Sequence, residues 1–217
     1  GIVTNLEKAE PASEKEEDHK AFDIGDALFN RWFLGGVYKG QYPQVLTDIL
    51  QKYLPVDYEK DMAIVSRPLD WAGINYYSRG LYAWDADRPA FPVRQVKGNL
   101  PTNDLGWEIY PKGLTDLLVR VSREYTKLPI YVTENGMSET NDERRVEFYD
   151  MHLKAVLDAQ AQGADVRGYF AWSLLDNYEW AEGYSSRFGI VHVDYETQKR
   201  TPKGSYRAFQ GMLHNTR

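Results

Sequence analysis

The sequence predicts an α/β chain built on parallel strands, and three observations carry that prediction. Strand-like apolar runs are widely spaced, helix-length amphipathic segments lie between them, and long loops holding much of the Trp, Tyr and Pro follow the strand ends. Strand and helix in alternation imply parallel neighbours joined by right-handed crossovers. In barrel enzymes, the loops after such strands carry the site.

Four stretches read as strands: "GIVTNL" (1–6), "LDWAGINYY" (69–77), "LPIYVTENG" (128–136) and "VRGYFAWSLLDN" (166–177). Each is rich in β-branched or aromatic residues and closes on Asn, Glu or Asp. After the first comes "EEDHKAFDIGDALFNRWFLG", where Phe22, Leu28, Phe29, Trp32 and Phe33 recur at helical spacing. The acidic run Glu14–Asp18 reads as its solvated start. The second helix, 110–127, opens with Pro111 at a first-turn position. The third, 140–163, offers Thr140 and Glu143 as a capping box and Gly163 as a stop. Val146, Tyr149, Leu153, Val156 and Leu157 form its apolar stripe. A last helix, 202–214, follows Thr201-Pro202. The segments 78–109 and 174–201 remain as long loops.

Composition narrows the function. A hydrophobic share of 42% and a charged share of 27% are ordinary for a soluble globular chain. The 14% aromatic content is high, and Tyr and Trp suit faces that meet flat, polar ligands such as sugars. A net charge of −6 argues against nucleic acid or an anionic membrane surface as partner. No apolar run approaches the about 20 residues that span a bilayer. Without cysteine there is no disulfide framework and no Cys-metal site, which fits a reducing cytosol, so a cytoplasmic location is expected. The four His show no metal-ligand spacing, and no metal or cofactor is expected. "GIVTNLEKAEPASEKEED" reads as neither a secretory signal nor a transit peptide.

Side chains two apart share a strand face. That count groups Ile130, Val132 and Glu134; Gly73, Asn75 and Tyr77; and Phe170 with Trp172. Successive strands thus deliver Asn75 and Tyr77, then Glu134, then Trp172 to one rim, followed by Glu179 and Trp180. Any one of these is readily a surface Glu, a core aromatic or a loop-capping Asn; together at corresponding strand ends they suggest chemistry on a carbohydrate. A carboxylate at a strand end can attack an anomeric carbon and split a difficult substitution into two steps. A tyrosine hydroxyl donating to it would orient it and favour its ionised form. Indole faces offer an apolar platform to a pyranose, and a second carboxylate can accept from sugar hydroxyls.

The stretches "DWAGINYYS", "GWEIYPKGL", "LPIYVTENG", "RGYFAWSLLDNYEWAEGYSSRFGIVHVDYETQKRTPK" and "YRAF" resemble the C-terminal half of a family 1 glycoside hydrolase, a retaining β-glucosidase on a (β/α)8 barrel. The resemblance covers nearly the whole chain, 1–217, as one half-barrel of a single catalytic domain. It implies that Glu134 is the nucleophile and that Tyr77 hydrogen-bonds it, with Asn75 beside them. It makes Trp172 the platform under the sugar, Glu179 and Trp180 the binders of hydroxyls distant from the anomeric centre, and Phe188 the residue closing the pocket near C6. It also implies a non-proline cis bond after Trp172. Family members acting on 6-phosphorylated sugars replace the residue matching Glu179 and add a lysine nearby. Here Glu179 is kept and no lysine lies between it and Phe188, so an unphosphorylated β-glucoside or short β-linked oligosaccharide is the expected ligand, with fucose- and galactose-like glycones equally compatible with these residues.

The same resemblance exposes a gap. The family's acid/base glutamate sits in an Asn-Glu-Pro motif on the fourth barrel strand, and no Asn-Glu-Pro occurs in this sequence. Its first four strands also supply a Gln, a His and an Arg to the site, and these have no counterpart here. Glu179 and Glu182 are not expected to stand in for the acid. A half-barrel leaves strand edges and an apolar inner face uncovered. A second polypeptide, a pairing of two copies or a cleaved whole would each account for this. Two copies would bring two nucleophiles and no acid. An N-terminal half-barrel polypeptide carrying the acid/base, separate or split off by cleavage, is therefore expected as partner, and this chain is expected to be inactive without it. The alternative is a non-hydrolytic sugar-binding or scaffold half-barrel.

Overall fold

The computed structural model describes residues 1–214 of the 217-residue chain. Strand β1 (Ile2–Pro11) leads into helix α1 (Glu16–Asp26), a π-helical turn at 27–31, and α2 (Trp32–Lys39). Helices α3 (Gln44–Leu50) and α4 (Tyr58–Val65) complete this connection. Then follow β2 (Ala72–Trp84), β3 (Val93–Val96), α5 (Pro111–Arg120), β4 (Ile130–Asn135), α6 (Asp142–Ala161) and β5 (Val166–Ala171). The hairpin β6 (Val191–Val193) and β7 (Arg200–Pro202) precedes α7 (Gly204–His214).

β1, β2, β4 and β5 lie side by side in chain order, every pair parallel, with β3 added antiparallel to β2. The outward face of this sheet packs on the helices. Leu6, Ile74, Tyr76, Ile130 and Val132 bury against Leu114, Leu117, Leu118 and Val156. Each such side chain removed from water contributes about 1.5–3 kcal/mol.

The inward face is largely uncovered. Phe170 is 58% exposed, and Ile2, Val3, Leu28 and Phe33 are exposed around an apolar hollow of about 520 Å³ along β1. Leu28 and Phe33, two of the helically spaced apolar residues after the first strand, are thus exposed beside the free edge of β1. Tyr149 and Val156 of α6 are buried, whereas Leu157 is exposed, and Arg145, Phe148, His152, Ala155 and Ala159 supply the rest of its buried face.

Element ends differ from the sequence expectation in physically simple ways. Asn141, not Thr140, caps α6, its side chain accepting from Glu143 N at 3.1 Å, so no Thr140–Glu143 box forms. Gly163 follows the helix end with φ +94°, a conformation glycine adopts without steric cost. The last helix begins at Gly204, because Arg200–Pro202 pairs in the β6–β7 hairpin instead. The expected loop 78–109 contains the second half of β2 and its hairpin partner β3.

At Glu7 the pairing of β1 with β2 slips by one residue, which leaves the Glu7 backbone without a regular ladder partner. Asn30, in the π-helical turn, fills the gap: it accepts from Glu7 N at 3.1 Å and donates to Glu7 O at 2.9 Å. A buried amide thereby satisfies both orphaned groups.

His152 is fully buried on α6, its ring stacked on Phe148 at 3.8 Å and its Nδ1 2.8 Å from the Phe148 carbonyl oxygen. Burial pushes its pKa down to about 4 from 6.5. The unfolded chain therefore binds the proton more readily between these values. Stability contributed by neutral His152 is complete above pH 6.5 and is lost as the pH falls towards about 4. We expect a loss of up to about 3 kcal/mol across that window. His152→Gln should flatten this part of the profile in denaturant unfolding measured at a series of pH values.

Candidate active site

Glu134 reaches the inner face through an irregularity, not through simple alternation. Ile130 and Val132 point outward into the helix-packed core, so strict alternation would send Glu134 outward with them. Between β2 and β4 the register shifts: Ile74 pairs with Val132, but Asn75 pairs with Glu134. Thr133 is the extra residue of a β-bulge, and its hydroxyl lies 2.7 Å from Asn75 Oδ1. The bulge re-aims the following side chain inward, a common use of such irregularities beside sites. The expected grouping of Glu134 with Ile130 and Val132 on one face is corrected accordingly. On β2 alternation does hold, with Ile74 and Tyr76 buried outward and Asn75 and Tyr77 turned inward.

At the mouth of the half-barrel, Tyr77 donates its hydroxyl to Glu134 Oε2 at 2.6 Å. Burial and the adjacent Glu134 carboxylate push the Tyr77 pKa far up, so it stays a neutral donor. A hollow of about 410 Å³ is lined by Asn5, Asn75, Tyr77, Trp107, Glu134, Trp172, Glu179 and Trp180. Burial raises the pKa of Glu179, the charges of Glu134 and Glu182 add to this, and a hydrogen bond with the Trp172 side chain opposes it. Trp180 is 83% exposed on the outer lip, and its backbone is left-handed at φ +40°.

The two strand ends that carry Glu134 and Trp172 are stitched together. Asn135, fully buried, donates to Tyr76 O at 2.7 Å and accepts from Tyr169 at 2.5 Å. Its carbonyl accepts from Trp172 N at 2.9 Å. Gly136 follows immediately, and a Cβ there would lie 1.7 Å from the Trp172 carbonyl oxygen. That oxygen also accepts from Tyr149 at 3.2 Å. The peptide bond after Trp172 is cis.

The structure brings six of the seven candidate residues to one hollow. Phe188 is placed differently: it is buried behind the wall, edge-on to Tyr77 with ring centroids 6.2 Å apart and 6.1 Å from the Trp107 ring. Two lining residues carried no sequence expectation. Asn5 lies level with Asn75 across the β1–β2 pair, a position readable from the parallel strand ends. Trp107 lies within the quoted stretch "GWEIYPKGL", yet its place depends on a distant ion pair. Arg79 is held between Glu108 at 2.6 Å and Glu10 at 2.8 Å, and Asn103 accepts from Trp107 N at 3.0 Å. This lashes the loop onto β1 and β2, with the Glu108 carboxyl pulled down chiefly by its Arg79 hydrogen bond.

Among the described residues no cluster of three or more His, Cys, Asp or Glu could hold a metal ion. Among the described residues no helix is long and apolar enough to cross a membrane.

The β-glucosidase A of Thermotoga maritima is 42% identical over 99% of the chain, and the β-glucosidase of Agrobacterium sp. is 40% identical over 98%. A solved structure of the Thermotoga maritima β-glucosidase in complex with deoxynojirimycin superposes with TM-score 0.93 at 41% identity, covering 99% of this chain and 50% of that one. Its complex with a cyclophellitol analogue transition-state mimic superposes equally well, with TM-score 0.93 at 42% identity. The chain spans about half the length of the curated relatives it matches, 50% and 49% for the two named above. The fold is the C-terminal half of their TIM (β/α)8 barrel. The profile of glycosyl hydrolase family 1 matches residues 1–217, and the chain belongs to that family.

Proposed function

We propose that this half-barrel is the part of a retaining β-glucosidase that carries the nucleophile and the sugar-binding face. The observation supporting it is the 2.6 Å hydrogen bond from a neutral Tyr77 to Glu134 at the mouth framed by Trp172 and Glu179. With Oε2 engaged by Tyr77, Oε1 is the oxygen for attack. It forms a bond to the anomeric carbon of a terminal unphosphorylated β-glucoside as the bond to the leaving oxygen breaks. A carboxylic acid protonates that oxygen. In the second step the same group, now a carboxylate, takes a proton from water, which displaces Glu134 and restores the β configuration. Trp172 supports the apolar face of the ring while Glu179 and Trp180 hold hydroxyls remote from the reacting carbon.

Retention requires the second carboxyl about 5–5.5 Å from the nucleophile. We assign it to an N-terminal half-barrel, which would also cover the exposed inner face at Phe170 and the free edge of β1. The chain is expected to show no turnover of an aryl β-glucoside by itself and to gain it on mixing with such a half. Hydrolysis by the purified chain unaided would overturn the assignment. Sugar binding without turnover under both conditions would instead favour the non-hydrolytic reading.

A further inference from the structure

The loop that carries Glu179 and Trp180 hangs from a buried charged knot with no part in the chemistry above. The Asp176 side chain is wholly buried. Its Oδ1 accepts from Gly189 N at 3.0 Å and from Lys203 Nζ at 3.1 Å. Its Oδ2 accepts from Arg187 Nη1 at 3.0 Å and from Val193 N at 3.2 Å. Arg187 also donates to Val193 O at 2.7 Å and lies over the Tyr195 ring, while Lys203 donates to Gly189 O at 2.6 Å. The packing leaves no slack, since a Cβ on Gly189 would sit 2.1 Å from Asp176 N.

The tip of the same loop lies at the surface, with Glu179 hydrogen-bonded to the Trp172 side chain. Tyr178 and Trp180 are mostly exposed, and Glu179 N donates to Gly183 O at 2.7 Å within the tip itself. A bulky residue such as Trp180 holds a left-handed backbone only where its surroundings impose it. Asp176 stands between Trp172 and Glu179 in the chain, so the base it fastens sets where the tip can reach.

We propose that Asp176 is a positioning residue for sugar recognition: by binding Arg187, Lys203 and two backbone amides, it fixes Glu179 opposite Trp172. This rests on the reading that Trp172 and Glu179 hold the sugar. Asp176 is too buried to touch substrate and acts only through the loop. Glu134 and Tyr77 stand on β4 and β2, so the knot reaches the reacting centre only through Phe188, which packs against Tyr77.

The test uses the barrel assembled from this chain and an N-terminal half. Rates are counted per Glu134 site labelled to completion with a 2-deoxy-2-fluoro-β-glucosyl fluoride, which removes misfolded material from the count. Asp176→Asn keeps the size but turns an amide towards two half-buried cations. For an aryl β-glucoside, kcat/KM is expected to fall about 10- to 100-fold, mainly through KM, as suits a sub-ångström misplacement. For the 4,6-dideoxy analogue, which lacks the remote hydroxyls, the fall should stay within about threefold. Lys203→Met, which leaves the Asp176–Arg187 pair, should shift the same ratio in the same direction by less. If Asp176→Asn gives no labelled sites, Lys203→Met decides. Equal losses on both substrates, or unchanged selectivity, would overturn the proposal. A wild-type assembly inactive on both substrates would instead overturn the glycosidase reading, a different result from unchanged selectivity in an active variant.

Discussion

Glu134→Gly in the completed barrel is expected to lose hydrolysis by about 10⁴-fold or more, because the covalent step disappears with its nucleophile. Removing the side chain leaves a small void beside the Tyr77 hydroxyl on the inner face. Azide can occupy it and attack the anomeric carbon of an activated aryl β-glucoside from the side Glu134 used. That is a single displacement, so the product is the α-glucosyl azide, and no second step follows to restore the β form. Turnover with and without azide, and the anomeric configuration of the product by NMR, check both parts. Near-normal activity in the variant, or a β-linked azide, would show that another group is the nucleophile.

Gly136→Ala carries the second large effect, this time on the fold of the site. The new methyl would meet the Trp172 carbonyl oxygen at 1.7 Å, and the atom in the way is backbone. Trp172 cannot retreat freely, since its N–H donates to Asn135 O and its carbonyl accepts from Tyr149. Separation of the two strand ends, or loss of those bonds, should cost about 3 kcal/mol. The midpoint of denaturant unfolding should drop accordingly, and sugar binding should weaken beyond what the lost stability explains. A variant with wild-type stability and binding would show that the two strand ends can separate freely.

The order of the parallel strands was legible because their composition and turn residues mark them locally. Glu179 and Trp180 lie on the loop after β5 and took their roles from the family resemblance alone, whereas Asn75, Tyr77, Glu134 and Trp172 were legible because they stand at or next to strand ends. Asn5 followed the same logic and could have been found from it. Trp107 could not, since its position depends on Arg79 joining Glu10 and Glu108 across 98 positions of sequence. The Asn30–Glu7 contact and the Asp176 knot join residues 11 to 27 positions apart across turns and loops, where no local pattern pairs them. The short helices α3 and α4 were hidden by weak periodicity over few residues. The direction of Glu134 is the most instructive case. Counting by twos placed it with Ile130 and Val132, and only the offset against Asn75 puts it elsewhere.

That offset has a practical meaning for anyone transplanting the motif. "YVTENG" copied into another parallel sheet would retain its letters yet present the carboxylate to the surrounding helices, unless the adjoining strand also lost step by one residue. What must be inherited for chemistry is thus a mismatch between neighbours, which no single segment encodes. Deleting Thr133 would heal that mismatch and seat Glu134 directly after Val132, where plain alternation alone turns the acid inward.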